Sequence, residues 1–448
     1  MKSKMKKLGF LKNKEVKNAI WLIGGKVAQM ALSLFVGAIS ARYLGPSNYG
    51  LISYANALIA FFMSLCTLGI NSVIVKEFFD APDEQGIILG TSILFRVISS
   101  FCSALLAISV SFILDYGQWE TVIVVALCSV SLIFHSFDTI NYWFQSQHKS
   151  KVTAIATFCA YVATAIYKIV LLILGKNVFW FAFSTSVDYI VLGIILIFAY
   201  KKNGGQKFGI SFKKGKAILS KSYHYILSGL MVSIYAQTDK LMLKQMLGET
   251  DVGYYATATA ICAMWTFVLS AIIDSMYPTI VKAFKQDQKL FEKRNRQLYA
   301  IVFYVSVFVS LCFLLLGDFV IKILYGNEFL PAAMPLKIVT WYTAFSFLGV
   351  ARSVWMVCNN KQKHLKFMYI PAIIINVVLN FVFIPIMGAS GAALASLITQ
   401  VFTSIILPLF IKDLRPNAKL MLEAIILKDV FPKKNFTSKS NQNNMGNE

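Results

Sequence analysis

Leu44-Gly45-Pro46-Ser47-Asn48-Tyr49-Gly50 returns as Leu247-Gly248-Glu249-Thr250-Asp251-Val252-Gly253, 203 positions later. Each copy is a tight turn between two long apolar segments. A second echo follows each, first as Ile74-Val75-Lys76-Glu77-Phe78 and then as Ile280-Val281-Lys282-Ala283-Phe284. A chain that repeats its own hairpin at about half its length predicts two structural halves facing one another. In a membrane protein, the seam between such halves is where a substrate sits.

The composition places the chain in a membrane. Of its 448 residues, 57% are hydrophobic and only 14% charged, too apolar for a soluble surface. A spanning helix needs ~20 mostly apolar residues. Twelve stretches qualify: roughly 18–41, 48–75, 87–114, 119–143, 152–174, 178–200, 218–243, 252–281, 297–316, 331–357, 366–387 and 390–411. Their length and continuity predict an all-α polytopic membrane protein. A barrel would show short alternating strands instead.

The net charge of +22 invites a nucleic-acid reading, but its distribution argues against one. Basic residues crowd one set of loops and both tails, as in the tail from Lys2 to Lys17 and the loop from Lys201 to Lys216. Only Arg42, Lys176, Lys322 and Lys337 fall on the opposite side. Positive charge in short loops marks the cytoplasmic side, so both termini are expected there. The acidic loop 76–86 does not overturn this, because Asp and Glu count little in the rule. The apolar segment after the basic start is too long for a signal-peptide core and reads as a retained first helix.

Five regions follow: a basic cytoplasmic tail at 1–17, a first lobe at 18–200, a basic linker at 201–217, a second lobe at 218–411 and a cytoplasmic tail at 412–448. Each lobe holds six helices. Six is even, so both lobes start on the same side and the repeats are parallel. The Asn-rich end reads as disordered. No enzyme chemistry has a foothold. His135, His148, His224 and His364 lack metal-ligand spacing, and neither a phosphate-binding glycine loop nor a nucleophile elbow is present. The cysteines lack disulfide or metal spacing.

The informative residues are charges within the spans. Each costs ~2.5–3.5 kcal/mol to insert and tends to face a bundle interior or a wet cavity. Lys26 and Arg96 lie deep from the cytoplasmic side, and Arg352 lies near that end of helix ten. Lys168 and Lys240 lie toward the outer ends of helices five and seven. The basic groups thus form an inner and an outer tier, which would attract an anion, phosphate above all. Asp188, in mid-helix without a nearby partner in sequence, is the leading candidate for a protonatable or cation-binding carboxylate. Asp239 beside Lys240 reads equally as a local ion pair or a coupling group.

Ala41-Arg42-Tyr43-Leu44-Gly45-Pro46-Ser47-Asn48-Tyr49-Gly50, then Thr67-Leu68-Gly69-Ile70, resembles the opening of bacterial polysaccharide repeat-unit flippases of the Wzx type. Asp239-Lys240, followed by Leu247-Gly248 and Val252-Gly253-Tyr254-Tyr255, resembles the start of their second half. The resemblance covers about residues 15–412. It implies membership of the multidrug/oligosaccharidyl-lipid/polysaccharide exporters, with two six-helix lobes in a V shape like the MATE transporters. It implies a substrate of undecaprenyl-pyrophosphate carrying one oligosaccharide unit, flipped across the bacterial inner membrane by alternating access for O-antigen or capsule synthesis. It also implies a cationic cavity, which maps by region onto Lys26, Arg96 and Lys240, and in some members coupling to protons or sodium. No other cofactor is expected. Membrane lipid, a polysaccharide polymerase and a chain-length regulator are the expected partners. Three rivals stand beside this reading. A lipid II flippase fits the charge but commonly carries two extra helices. A multidrug exporter would favour an acidic cavity. A glycan polymerase or ligase would need a larger outer loop than 317–335.

Overall fold

The computed structural model describes residues 14–428 and Val430, with side chains from Gln29 onward except Lys363 and Lys366. Every regular element among them is helical. The first two spans, α1 (14–44) and α2 (46–66), form one run, Lys14–Cys66, broken at Gly45. Gly45 has φ 75° and ψ 169°, outside helical space and accessible to a residue without Cβ. Pro46 follows at the start of α2, where its missing N–H costs no hydrogen bond. The repeat copy behaves alike: Gly248, at φ 101°, separates α7 (Phe212–Leu247) from α8 (Glu249–Gln286). Both quoted stretches are therefore hairpin turns at the same end of the molecule, called here the far end. The opposite, lysine-rich end is the basic end.

The first lobe continues with α3 (Gln85–Leu114), α4 (119–146, tightened at Ser136–Asp138), α5 (Ser150–Ile173) and α6 (Val178–Lys202). The second comprises α7, α8, α9 (Gln288–Leu324), α10 (Ala333–Cys358), α11 (Leu365–Met387) and α12 (389–410). A short helix, α13 (Arg415–Ile425), follows. Nine runs of described residues are long and apolar enough to cross a membrane by length and composition. The α1–α2 run counts once there, and α7 and α10 carry too much polarity. Large apolar side chains such as Phe198, Phe308 and Leu315 point outward, as a lipid-facing surface requires.

Several boundaries differ from the sequence reading. The second span stops at Cys66 rather than 75, because Leu68 (φ 50°) and Gly69 (φ 62°) turn the chain left-handed. The ninth is longer than 297–316: Asp287 caps it by accepting the backbone N–H groups of Lys289 and Leu290. The region beyond 411, expected as a plain tail, contains the docked α13. The disordered stretch expected after about 430 lies outside the described residues.

Each lobe packs around cores of its own, and one core crosses between lobes at the far end. There Ala38, Ala41 and Tyr54 join Leu243, Val252 and Phe329. The linker does not hang free. Gln206 accepts the Gly86 N–H at 2.8 Å, Gly209 N–H reaches Gly86 O at 3.2 Å, and Ser211 N–H reaches Thr91 Oγ1 at 2.9 Å, strapping 206–211 to α3. The first half of α7 stays with this lobe through Ser222 Oγ on Leu68 O and Ser64–Ser233. Its second half packs on α11 and α12 through Asp239, while Lys244 and Gln245 near its end reach across to the first lobe.

Candidate functional site

A cavity of about 430 Å³ opens between α1, α2, α5, α6 and α8, roofed toward the far end by Leu44, Tyr49 and Tyr325. Its walls mix small hydroxyls and amides, among them Ser33, Ser53, Asn56 and Thr185, with the rings of Tyr161 and Phe181. Lys168 is the cation among its described lining residues. Thr164 and Lys168 stand one turn apart on α5, hence on one face. Thr164 Oγ1 donates to Asp188 Oδ1 on α6 at 3.2 Å. Lys168 lies on the same α5 face as Thr164, and among the described residues no ion pair or hydrogen bond joins its ammonium to Asp188. An ammonium with three donors and no direct acceptor lies ready for an anionic guest.

The roof is a crossing of the two repeated hairpins. A Cβ on Gly50 would meet Glu249 O at 1.8 Å, and one on Gly253 would meet Pro46 O at 2.1 Å. These glycines occupy the same place in the two copies, and each lets the other copy's backbone approach. Around them lies a buried polar cluster. Tyr54 Oη and Ser111 Oγ each donate to Asp115 Oδ2 at 2.9 Å, and Gln245 Nε2 donates to Asp115 Oδ1 at 3.0 Å. Lys244 pairs with Glu249 at 2.8 Å, lies 3.8 Å from Asp115 and donates to Gln118 Oε1 at 2.6 Å. Lys244 and Gln245 come from the second lobe, and Tyr54 and Asp115 from the first. The seal is thus both steric and ionic.

A second polar centre lies inside the second lobe. Asp239 on α7 is buried and accepts four hydrogen bonds. Asn380 Nδ2 (2.8 Å) and Asn376 Nδ2 (3.1 Å) reach Oδ1, and Tyr255 Oη and Ser396 Oγ, both at 2.5 Å, reach Oδ2. Asn380 Oδ1 is buried with no partner. Turning the two amides would exchange donors for oxygens around the carboxylate, since amide orientation follows whatever the site holds. One carboxylate among amide and hydroxyl oxygens suits a small hard cation or a proton. A transition metal would want the imidazole or thiolate ligands that this centre lacks.

Comparison with known proteins fits this architecture. Residues 16–284 match the family model described as polysaccharide biosynthesis protein. The chain belongs to that family. Among its relatives is the capsular polysaccharide biosynthesis protein CapF of Staphylococcus aureus. The two are 21% identical over 401 residues, 86% of this chain and 96% of the relative. A solved lipid II flippase MurJ in an inward closed conformation superposes with a TM-score of 0.73 at 17% identity, covering 92% of each chain. An inward-facing multidrug resistance MATE transporter of the MOP superfamily gives 0.69 at 15% identity, over 88% of this chain and 96% of that one. This polysaccharide biosynthesis protein thus has the fold of the MATE and MurJ structures, with helices long and apolar enough to cross a membrane many times.

The expected site residues disperse. Lys168 lines the cavity, and Asp188 stands behind it. Arg96 does not line it. This side chain is fully buried between α3 and α4, donating to Asn71 Oδ1 (3.2 Å), Thr139 Oγ1 (2.7 Å) and His135 O (3.2 Å), with His135 Nδ1 at 2.9 Å. Its depth came from helix packing, with protein oxygens in place of an anionic guest. Arg352 is likewise absent from the cavity and buried inside the second lobe among α10, α12 and α13. Lys240 is half-buried outside the cavity lining, next to Asp239 and without a direct ion pair to it among the described residues. The side chain of Lys26 lies outside the described residues. The centre at Asp239 includes residues the sequence reading passed over, namely Tyr255, Asn376, Asn380 and Ser396. Their signal was Asn376 and Asn380 one turn apart in a span of mean hydropathy 2.4.

Proposed function

We propose that this chain flips undecaprenyl-pyrophosphate-linked oligosaccharide repeat units from the cytoplasmic to the outer leaflet of the bacterial inner membrane, by alternating access, for O-antigen or capsule synthesis. The observation that carries this reading is the cavity between the lobes, closed at the far end by the hairpin crossing and holding the Lys168 ammonium, which has no direct acceptor among the described residues. The basic end is the cytoplasmic one, following the lysine distribution. Lys168 holds a phosphate oxygen of the substrate, while the hydroxyls, amides and rings of the wall suit sugar faces. The polyprenyl tail stays in lipid, which spares its transfer through a polar cavity. For the substrate to leave outward, Gly50 and Gly253 must part from the facing backbones and the Lys244 cluster must take up water.

Asp239 is the coupling group in this reading. Asp239, Asn376, Asn380 and Ser396 would hold a proton or sodium ion, which supplies the positive charge that neutralises the buried carboxylate. Asp188, by contrast, belongs with Lys168 at the cavity wall. A polysaccharide polymerase and a chain-length regulator are the proposed neighbours that consume the product.

The test is purified protein in liposomes with a fluorescent undecaprenyl-pyrophosphate oligosaccharide, scored by its appearance in the opposite leaflet. Lys168→Ala should slow flipping about tenfold or more, the loss expected for a charged hydrogen bond of ~1.5–3 kcal/mol. Lys168→Arg should retain most of it. Flipping by Lys168→Ala at the unmodified rate would remove the role given to this cavity. Lipid II in place of the oligosaccharide, flipped faster, would favour the peptidoglycan precursor as substrate.

A further inference from the structure

Two hydrogen bonds join α7 to α12, their residues running in opposite chain directions. Ser396 Oγ donates to Asp239, and one turn on, Gln400 Nε2 donates to Tyr235 Oη at 2.7 Å. Immediately after Gln400 and Val401 the helix widens. Residues Phe402–Ile406 form a π turn, closed by Leu407 N–H on Phe402 O. Such a turn holds one residue more than an α turn, so the helix faces before and after it are offset by about 100°. The face that presents Ser396 and Gln400 to α7 is therefore set against 407–410 by this turn.

Arg352 is what occupies the turn. Its guanidinium donates to Thr403 O at 3.3 Å and to Ser404 O, both inside the widened segment. Ser404 Oγ in turn donates to Phe345 O on α10 at 2.8 Å. Arg352 Nε reaches Asn417 Oδ1 on α13 at 3.1 Å, and the thioethers of Met368 and Met421 close the remaining sides at 3.7 and 3.4 Å. Asn417 is itself held, donating to Tyr299 Oη at 2.6 Å. One buried cation thus ties α10, the π turn of α12, α11 and the helix beyond the last span.

We infer that Arg352 is a positioning residue for the Asp239 centre: it holds the π turn that keeps Ser396 and Gln400 facing α7, with α13 as its support. This rests on Asp239 being the coupling group. Arg352 touches neither Asp239 nor the cavity, and its effect runs through the phase of α12. Lysine at 352 offers one ammonium where the guanidinium forks between two carbonyls and Asn417, so it keeps the charge but not the grip.

The test uses the full-length protein in detergent and reads cation response without transport. Sodium chloride is titrated at fixed pH, and protons are titrated at fixed sodium. The readouts are thermal stability and amide hydrogen exchange of 235–245 and 389–401. Asp239→Asn must first abolish the cation response; if it does not, the coupling reading itself fails. With that established, Arg352→Lys should weaken the half-saturating concentration about tenfold, as for a group that orients ligands without touching the ion. Exchange at 389–401 should quicken while that of 333–344 stays unchanged. Should Arg352→Lys fail to fold, Asn417→Ala takes its place, with a shift of about threefold in the same direction expected. A folded Arg352→Lys, or in its absence Asn417→Ala, with an unmoved half-saturation and unaltered exchange at 389–401 overturns the inference.

Discussion

Three cations within the spans, Arg96, Arg352 and Lys168, do separate jobs, and their position in the helices alone does not tell them apart. Arg96 satisfies the oxygens of Asn71, Thr139 and His135 within one lobe. Arg352 satisfies carbonyls of a widened turn in the other. Lys168 has no direct acceptor among the described residues and faces the cavity. Arg96→Ala leaves several buried acceptors unpaired and opens a void. It should lower thermal stability by about 3 kcal/mol in a melt of the purified protein, while the folded fraction flips substrate at the unmodified rate. The sequence placed all three within spans, with Arg96 deep, Arg352 near the cytoplasmic end and Lys168 toward an outer end. Depth could not say which one faces a cavity, because a charged group on a long stem reaches acceptors whose placement depends on neighbouring helices. Asn376 and Asn380 carry no formal charge, so a reading built on charged residues within the spans did not reach them, although a buried amide is also costly unless hydrogen-bonded.

At the scale of elements, α13 shows how a segment past the last span joins the fold. Arg296 Nε donates to Glu423 at 2.7 Å, Lys428 lies 3.2 Å from the same carboxylate, and Tyr304 Oη donates to Ile425 O at 2.7 Å. Burial pushes the Glu423 carboxyl up, but Arg296 and Lys428 outweigh it and leave it below its ordinary value. Asp413, just before α13, is likewise lowered by Lys361 and His364. A carboxylate lowered on folding contributes stability that is full above its unfolded pKa, near 4. That contribution is lost as pH falls through the lower folded value. Limited proteolysis should therefore find α13 protected at neutral pH and down to about pH 4, and progressively cleaved below it. The same release on raising the pH to 9 would contradict this. Ala418, Leu420, Met421 and Ala424 recur at helical spacing and mark α13 as amphipathic, but a stretch this short is no membrane span, and the tail reading absorbed it.

At the scale of the whole molecule, the repeated hairpin was legible from the start. A duplicated turn 203 residues apart predicted two facing halves, and its glycines are the points where those halves meet. What the repeat left open was which end they close, because identical turns say nothing of the angle between lobes. Gly50→Ala and Gly253→Ala each place a methyl on a facing carbonyl, so backbone must shift. Overpacking of this kind costs ~1–3 kcal/mol and acts only where the hairpins cross. Each variant should bias the lobes apart at the far end. A cysteine at Asn56 should then react faster with a membrane-impermeant thiol reagent applied from outside, and equal labelling would show that the crossing is not the barrier.

The strap at 206–211 has a practical consequence. Gly204 turns at φ 80° with open space around it, whereas 206–211 just beyond are already fastened to α3. A chain severed at Gly204 would leave the later fragment carrying its own docking peptide for the earlier one. Neither piece could shut the far side alone, since each owns one glycine of the pair. Reassembly in trans would restore both at once, which makes this turn the natural place to divide the gene or to insert a reporter.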